Sequence, residues 1–130
     1  MQVLQPPRWA RPRGYSHGIS AKGRFVFVSG MVGWDEHGRF AATDFTGQAR
    51  QALQNIVEVL AEAQAKPEHI VRMNWYVVDR GEYLACSKET GEVYREILGH
   101  HYPAMTAVQV SALIESLARV EIEVTAVVPD

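Results

Sequence analysis

The chain holds a single cysteine, Cys86, among 130 residues, so no internal disulfide can form. One thiol suits a reducing compartment. No apolar run approaches the roughly 20 residues that a membrane span requires. The opening stretch, "MQVLQPPRWARPRG", lacks the apolar core of a signal peptide and carries two early prolines. The expected address is therefore the cytoplasm. An excess of positive charge is missing too. Thirteen Lys and Arg face 15 Asp and Glu, for a net charge of -2 and a pI near 6.2. Such a balance argues against a nucleic-acid binder, whose affinity comes largely from neutralising phosphates.

Chemical signatures are equally sparse. His100 and His101 are adjacent, so their rings point apart in a strand or turn, and no HxxxH, HxH or cysteine pair converges on an ion. No metal site is expected. "SGMVG" lacks the strand-to-helix context and the basic residue of a phosphate loop. Ser29 lacks the nucleophile-elbow pattern of a serine hydrolase. Cys86 has no basic neighbour to lower its pKa and reads as a helix-packing residue.

What is present is an ordinary globular pattern. Apolar residues make up 47% and charged residues 22%, and the length fits one domain. Residues 1–13 are rich in Pro and Arg and aperiodic, and read as a loosely held arm. Residues 14–130 read as the single domain. "RFVFVSGMV" (Arg24 to Val32) is a strand, followed by a hairpin or loop at "GWDEHGR". From Asp44 to about Ala65, residues Ala49, Ala52, Leu53, Ile56, Val57, Leu60 and Ala63 recur at helical spacing. Asp44 or Thr43 caps that helix and Pro67 stops it. "HIVRMNWYVVD" alternates, with Val71, Met73, Trp75 and Val77 on one face. A second helix covers 82–98, with Tyr83, Ser87, Thr90, Tyr94, Ile97 and Leu98 as its inner stripe. "MTAVQVSAL" and "RVEIEVTAVVP" are the last strands. The order predicts an α+β layer, one mostly antiparallel sheet with two helices on one face. Tyr76, Gln109, Glu121 and Glu123 fall on the other face. Val28, Met105 and Trp34 are assigned there as well, and are apolar enough to call for a subunit partner.

Candidate chemistry is scattered. "GYSHG" places Tyr15, Ser16 and His17 between two glycines. "VSGMV" ends a strand with Ser29 and exposes the amide of Gly30. "VEIEV" sets Glu121 within a strand, where alternation alone makes it a solvated carboxylate.

Together, "RGYSHGISAKGRFVFVSGMVGWD", "DFTGQARQALQNIVEVLAEAQAKPEHIVRMNWYVVD", "YPAMTAVQV" and "VEIEVTAVVP" closely resemble the RidA family, also called YjgF-like or reactive-intermediate deaminase proteins. The resemblance runs from Gly14 to Pro129. It implies a chorismate-mutase-like fold and a homotrimer with clefts between subunits. It further implies cofactor-independent hydrolysis of enamines and imines, such as 2-aminoacrylate, to a keto acid and ammonia. Carried over by position, the family's tyrosine is Tyr15 and its strand-end serine is Ser29, followed by Gly30. The glutamate that orients water is Glu121. Where the family has an arginine that clamps the substrate carboxylate, this chain has Met105. Ala107 stands where many members have a cysteine, and Gly91 falls near the place of a helix asparagine.

A carboxylate taken out of water without a partner costs several kcal/mol, so 2-aminoacrylate is expected to bind poorly. The resulting expectation is a divergent imine hydrolase with catalytic Glu121, Tyr15 and Ser29. Gly30, Met105, Trp34, His17 and Ala107 would line its site, with Tyr102 as a further wall, and its substrate would be larger or less anionic, such as a ring-derived enamine of aromatic catabolism. The alternatives are a non-catalytic small-molecule-binding or regulatory trimer, and an interaction, chaperone-like or ribonuclease role, of which charge makes the ribonuclease the weakest.

Overall fold

A computed structural model describes all residues, 1–130. Its elements are β1 (Gln2–Leu4), β2 (Gly18–Ser20), β3 (Arg24–Val32), α1 (Phe45–Glu62), β4 (Ile70–Val77), α2 (Arg80–Ala85), α3 (Ser87–Leu98), β5 (Ala104–Gln109) and β6 (Val120–Val128). The main sheet has the order β3-β6-β4-β5. β6 runs antiparallel to both neighbours, and β4 and β5 are parallel. No helix is long and apolar enough to cross a membrane.

The helices cover one face of the sheet. Strand alternation delivers Met73, Trp75 and Val77 from β4 and Val120, Ile122 and Val124 from β6 to that face, where all are buried. α1 presents Ala49, Ala52, Leu53, Ile56 and Leu60 to them, each fully buried. The Asp44 carboxylate accepts from the Gly47 amide at 3.0 Å and caps α1. Buried Gln48 donates to the carbonyls of Ala42 and Leu117 and accepts from the Arg119 amide at 2.7 Å. One side chain thus holds the loop that leads into β6, and no polar atom of it is left unpaired.

Four expectations are corrected. Residues 2–4 do not form a loose arm; they pair with Gly18–Ser20 in a small separate sheet. β3 finds its partner at the other end of the chain, in β6, and not in a local hairpin. The second helix is two, because Cys86 closes α2 and precedes α3. Val28 and Met105 belong to the covered face. Val28 is in the core, and Met105 pairs in register with Met73 and packs against the same cluster.

Candidate functional site

α1 lies over β3 and β6, leaving α2 and α3 to cover β4 and β5. They do so incompletely. The inward positions Ser87, Thr90 and Gly91 of α3 are small, and so is Ala107 on β5. A cavity of about 460 Å³ remains, within the range of small-molecule sites. Trp75, Met105 and Ala107 form its floor. Tyr83, Tyr94 and Tyr102 supply aromatic walls. Tyr94 stacks on Tyr102, with centroids 5.6 Å apart and planes 8° from parallel. The Tyr94 hydroxyl donates to the His101 carbonyl at 2.6 Å. Burial, and then the neighbouring Tyr102, raise its pKa well above the ordinary tyrosine value. Burial also raises Tyr83.

Tyr15 stands at the mouth with Arg13 and Gly14. Its position is set by the next residue. The Ser16 hydroxyl donates to the Tyr102 carbonyl at 2.5 Å, and the Ser16 amide donates to the Pro103 carbonyl at 3.0 Å. The "GYSHG" segment is thereby tied to the start of β5. His101 is structural: its Nε2 lies 2.6 Å from the Ile70 carbonyl.

The other sequence-nominated residues lie elsewhere. A β-bulge sets Ser29 and Gly30 opposite the single residue Glu123. A Cβ at Gly30 would fall 2.1 Å from Glu121 Oε2, so the Glu121 carboxylate occupies the room a side chain there would take. Glu121 pairs with Tyr76 in register, on the face turned away from the helices. Glu123 on that face accepts from Asn74 Nδ2 at 3.0 Å and from the Tyr76 hydroxyl. Exposed Phe25 and Phe27 sit near this surface on β3, with centroids 6.1 Å apart.

The nominated set therefore divides in two. Tyr15, Met105 and Ala107 share the cavity, whereas Glu121, Ser29 and Gly30 lie across the sheet from it. Trp34 does not join the Met105 wall; it lines a separate shallow concavity with Asp35 and Asn55. His17 is exposed beside the mouth, edge-on to Trp9 at 5.0 Å and to Tyr15 at 5.8 Å. Arg13, Arg95 and Trp75 escaped the sequence reading as site residues. A signal for the cavity was available: the inner stripe of the second helix carries several hydroxyls, which suit a wet wall better than a dry core.

Residues 8–128 match the family model described as Endoribonuclease L-PSP. A RutC family protein of Pyrococcus horikoshii is 33% identical over 127 residues, covering 96% of each chain. The human 2-iminobutanoate/2-iminopropanoate deaminase is 29% identical over 105 residues, covering 80% of this chain and 73% of the human one. Among solved structures, a protein of the conserved Rid family from Yersinia pestis superposes with a TM-score of 0.86 at 29% identity, covering 98% of both chains. An α+β sheet with this order and this covered face, matched along nearly its whole length, is the chorismate-mutase-like fold, and the chain belongs to the YjgF/RidA family.

Proposed function

We propose that this protein hydrolyses an enamine or imine metabolite to the carbonyl compound and ammonia, in clefts between the copies of a homotrimer. The observation that carries the reading is the aromatic cavity with Met105 in its floor. The similar human protein is a 2-iminobutanoate/2-iminopropanoate deaminase, which supports the reaction class. The cavity supports a different substrate. It offers far more room than a three-carbon imino acid fills, and its floor has no cation at Met105 to clamp one. A ring-sized enamine or imine suits it better.

The reaction needs only water and a series of proton transfers. Protonation at carbon turns an enamine into its protonated imine. Water adds to the imine carbon while a carboxylate accepts its proton. The carboxyl group returns its proton to the carbinolamine nitrogen, and the C–N bond breaks as the hydroxyl gives up its proton to the departing ammonia, leaving the carbonyl compound and ammonium. Glu121 is the carboxylate assigned to this work, with Tyr15 at the cavity mouth and Ser29 beside Gly30. Within one chain the sheet separates Glu121 from Tyr15, which supports a site completed by the open face of a neighbouring copy.

The test generates imines in place with an amino-acid oxidase and follows their competition with semicarbazide. The phenylalanine-derived imine should be hydrolysed well above background and the alanine-derived imine should not. Robust turnover of small imines would overturn the substrate assignment. Glu121→Ala should lose turnover and keep binding; absence of turnover with every imine, in a protein that still binds, would leave the non-catalytic trimer in its place.

A further inference from the structure

Only two buried side-chain polar atoms lack a hydrogen-bond partner within the chain, Trp75 Nε1 and Thr90 Oγ1. The residues are 3% and 7% exposed, and both line the same cavity. A buried indole N–H ordinarily finds an acceptor, because leaving one unpaired forfeits its hydration. Two such atoms in one cavity point to a ligand that supplies the missing partner.

A second, independent observation concerns charge. The ion pairs of the chain engage His37, Arg50 and Arg119, leaving Arg13 and Arg95 without a carboxylate. Both line the cavity. Arg95 is folded back along α3 over Gly91. A Cβ at Gly91 would lie 3.3 Å from its Nη1, 3.9 Å from Nη2 and 4.0 Å from Cζ. The guanidinium therefore rests on the bare Cα of a mid-helix glycine, with its donors free.

We propose that the cavity takes a ring-bearing carboxylate anchored by Arg95 over Gly91, with Arg13 at the rim. The ring packs among Tyr94, Tyr102 and Met105. A carbonyl or imine acceptor of the ligand receives the Trp75 N–H and the Thr90 hydroxyl. The assignment rests on reading the cavity as the substrate site and adds the substrate's charge and the side from which it is held. The anchor has moved from the strand to the helix, so a short imino acid held by Arg95 cannot present its reacting carbon as a longer molecule can.

Three probes isolate the parts: phenylpyruvate carries ring and carboxylate, pyruvate the carboxylate alone, and phenylacetone the ring alone. Calorimetric titration of the full-length protein should give phenylpyruvate the tightest binding, by about tenfold or more over either fragment. The affinities of phenylpyruvate and pyruvate should weaken as sodium chloride is raised, and that of phenylacetone should not, because an exposed guanidinium is screened. Arg95→Gln should lower phenylpyruvate affinity about tenfold, leave phenylacetone unchanged and be partly rescued by Arg95→Lys. Trp75→Phe should weaken phenylpyruvate and leave the melting temperature within a few degrees. Equal binding of phenylpyruvate and phenylacetone overturns the proposal, as does Arg95→Gln with wild-type affinity, or an effect of Trp75→Phe on stability alone. The two readings fail separately. Imine turnover with an Arg95→Gln KM equal to wild type removes the anchor and keeps the hydrolase. Arg95-dependent phenylpyruvate binding without turnover removes the hydrolase and keeps the anchor.

Discussion

Met105 is half-buried in the floor of the cavity and packs against the core. A cation placed there would stand where a short imino acid needs its clamp. Met105→Arg should therefore tighten pyruvate binding about tenfold, while the ring ligand loses its place. The same change buries part of a guanidinium, so the melting temperature should fall by several degrees, which a thermal scan reads directly. Gly30 makes the opposite point, since its value lies in having no side chain. The Cβ of Gly30→Ala would have to displace the Glu121 carboxylate. Turnover should drop sharply while urea unfolding stays close to wild type, because Glu121 can swing aside without disturbing the core. An unchanged kcat would separate Glu121 from the chemistry. The tyrosines give a pH signature. Burial raises Tyr94 and Tyr83, and a hydrogen bond to Glu123 raises Tyr76. A raised folded pKa contributes stability that is fully present below the unfolded value and is lost as pH rises through the folded one. Alkaline absorbance titration should show these tyrosines ionising late, with stability falling only above about pH 10.

At the scale of elements, α3 carries the tension between fold and site. A glycine inside a helix costs about 1 kcal/mol relative to alanine, yet Gly91 sits mid-helix under the Arg95 guanidinium. Gly91→Ala should stabilise the chain by about 0.5–1 kcal/mol in urea unfolding and weaken phenylpyruvate, because the new Cβ disturbs the seat of Arg95. If stability and affinity rise together, Gly91 is not making room for the guanidinium. The elements also mark what local pattern can reveal. α1 was legible because seven apolar residues recur at one helical period behind an Asp cap. β6 was legible because Val120, Ile122 and Val124 alternate with Glu121 and Glu123. The break at Cys86 was not, since both halves keep an inward stripe across it. Nor was the side taken by Val28 and Met105: alternation gives the parity of a strand, and only packing decides which parity turns inward.

For the whole molecule, the least legible relation is the one the site depends on. Ser16 and Tyr102 are joined by a hydrogen bond across 86 positions of sequence, and nothing in either local stretch announces the other. The separation of Glu121 from Tyr15 is a similar global fact, because both sit in strand or loop patterns that give no depth. That separation yields the sharpest test of assembly. If each site takes Tyr15 from one copy and Glu121 from the next, two inactive variants can repair each other. Tyr15→Ala spoils the cavity mouth of its own copy and keeps an intact open face. Glu121→Ala spoils the open face and keeps an intact cavity. When the two are denatured together and refolded, mixed assemblies should contain clefts that pair an intact cavity with an intact carboxylate. Turnover should reappear in the mixture, while each variant refolded alone stays inactive. A site built within one chain predicts the reverse, no recovery at any ratio, because every copy then carries one defect of its own. Size-exclusion with light scattering on the same samples checks that the mixture assembles as the wild type does, so that silence in the assay speaks to the site and not to a failure to assemble.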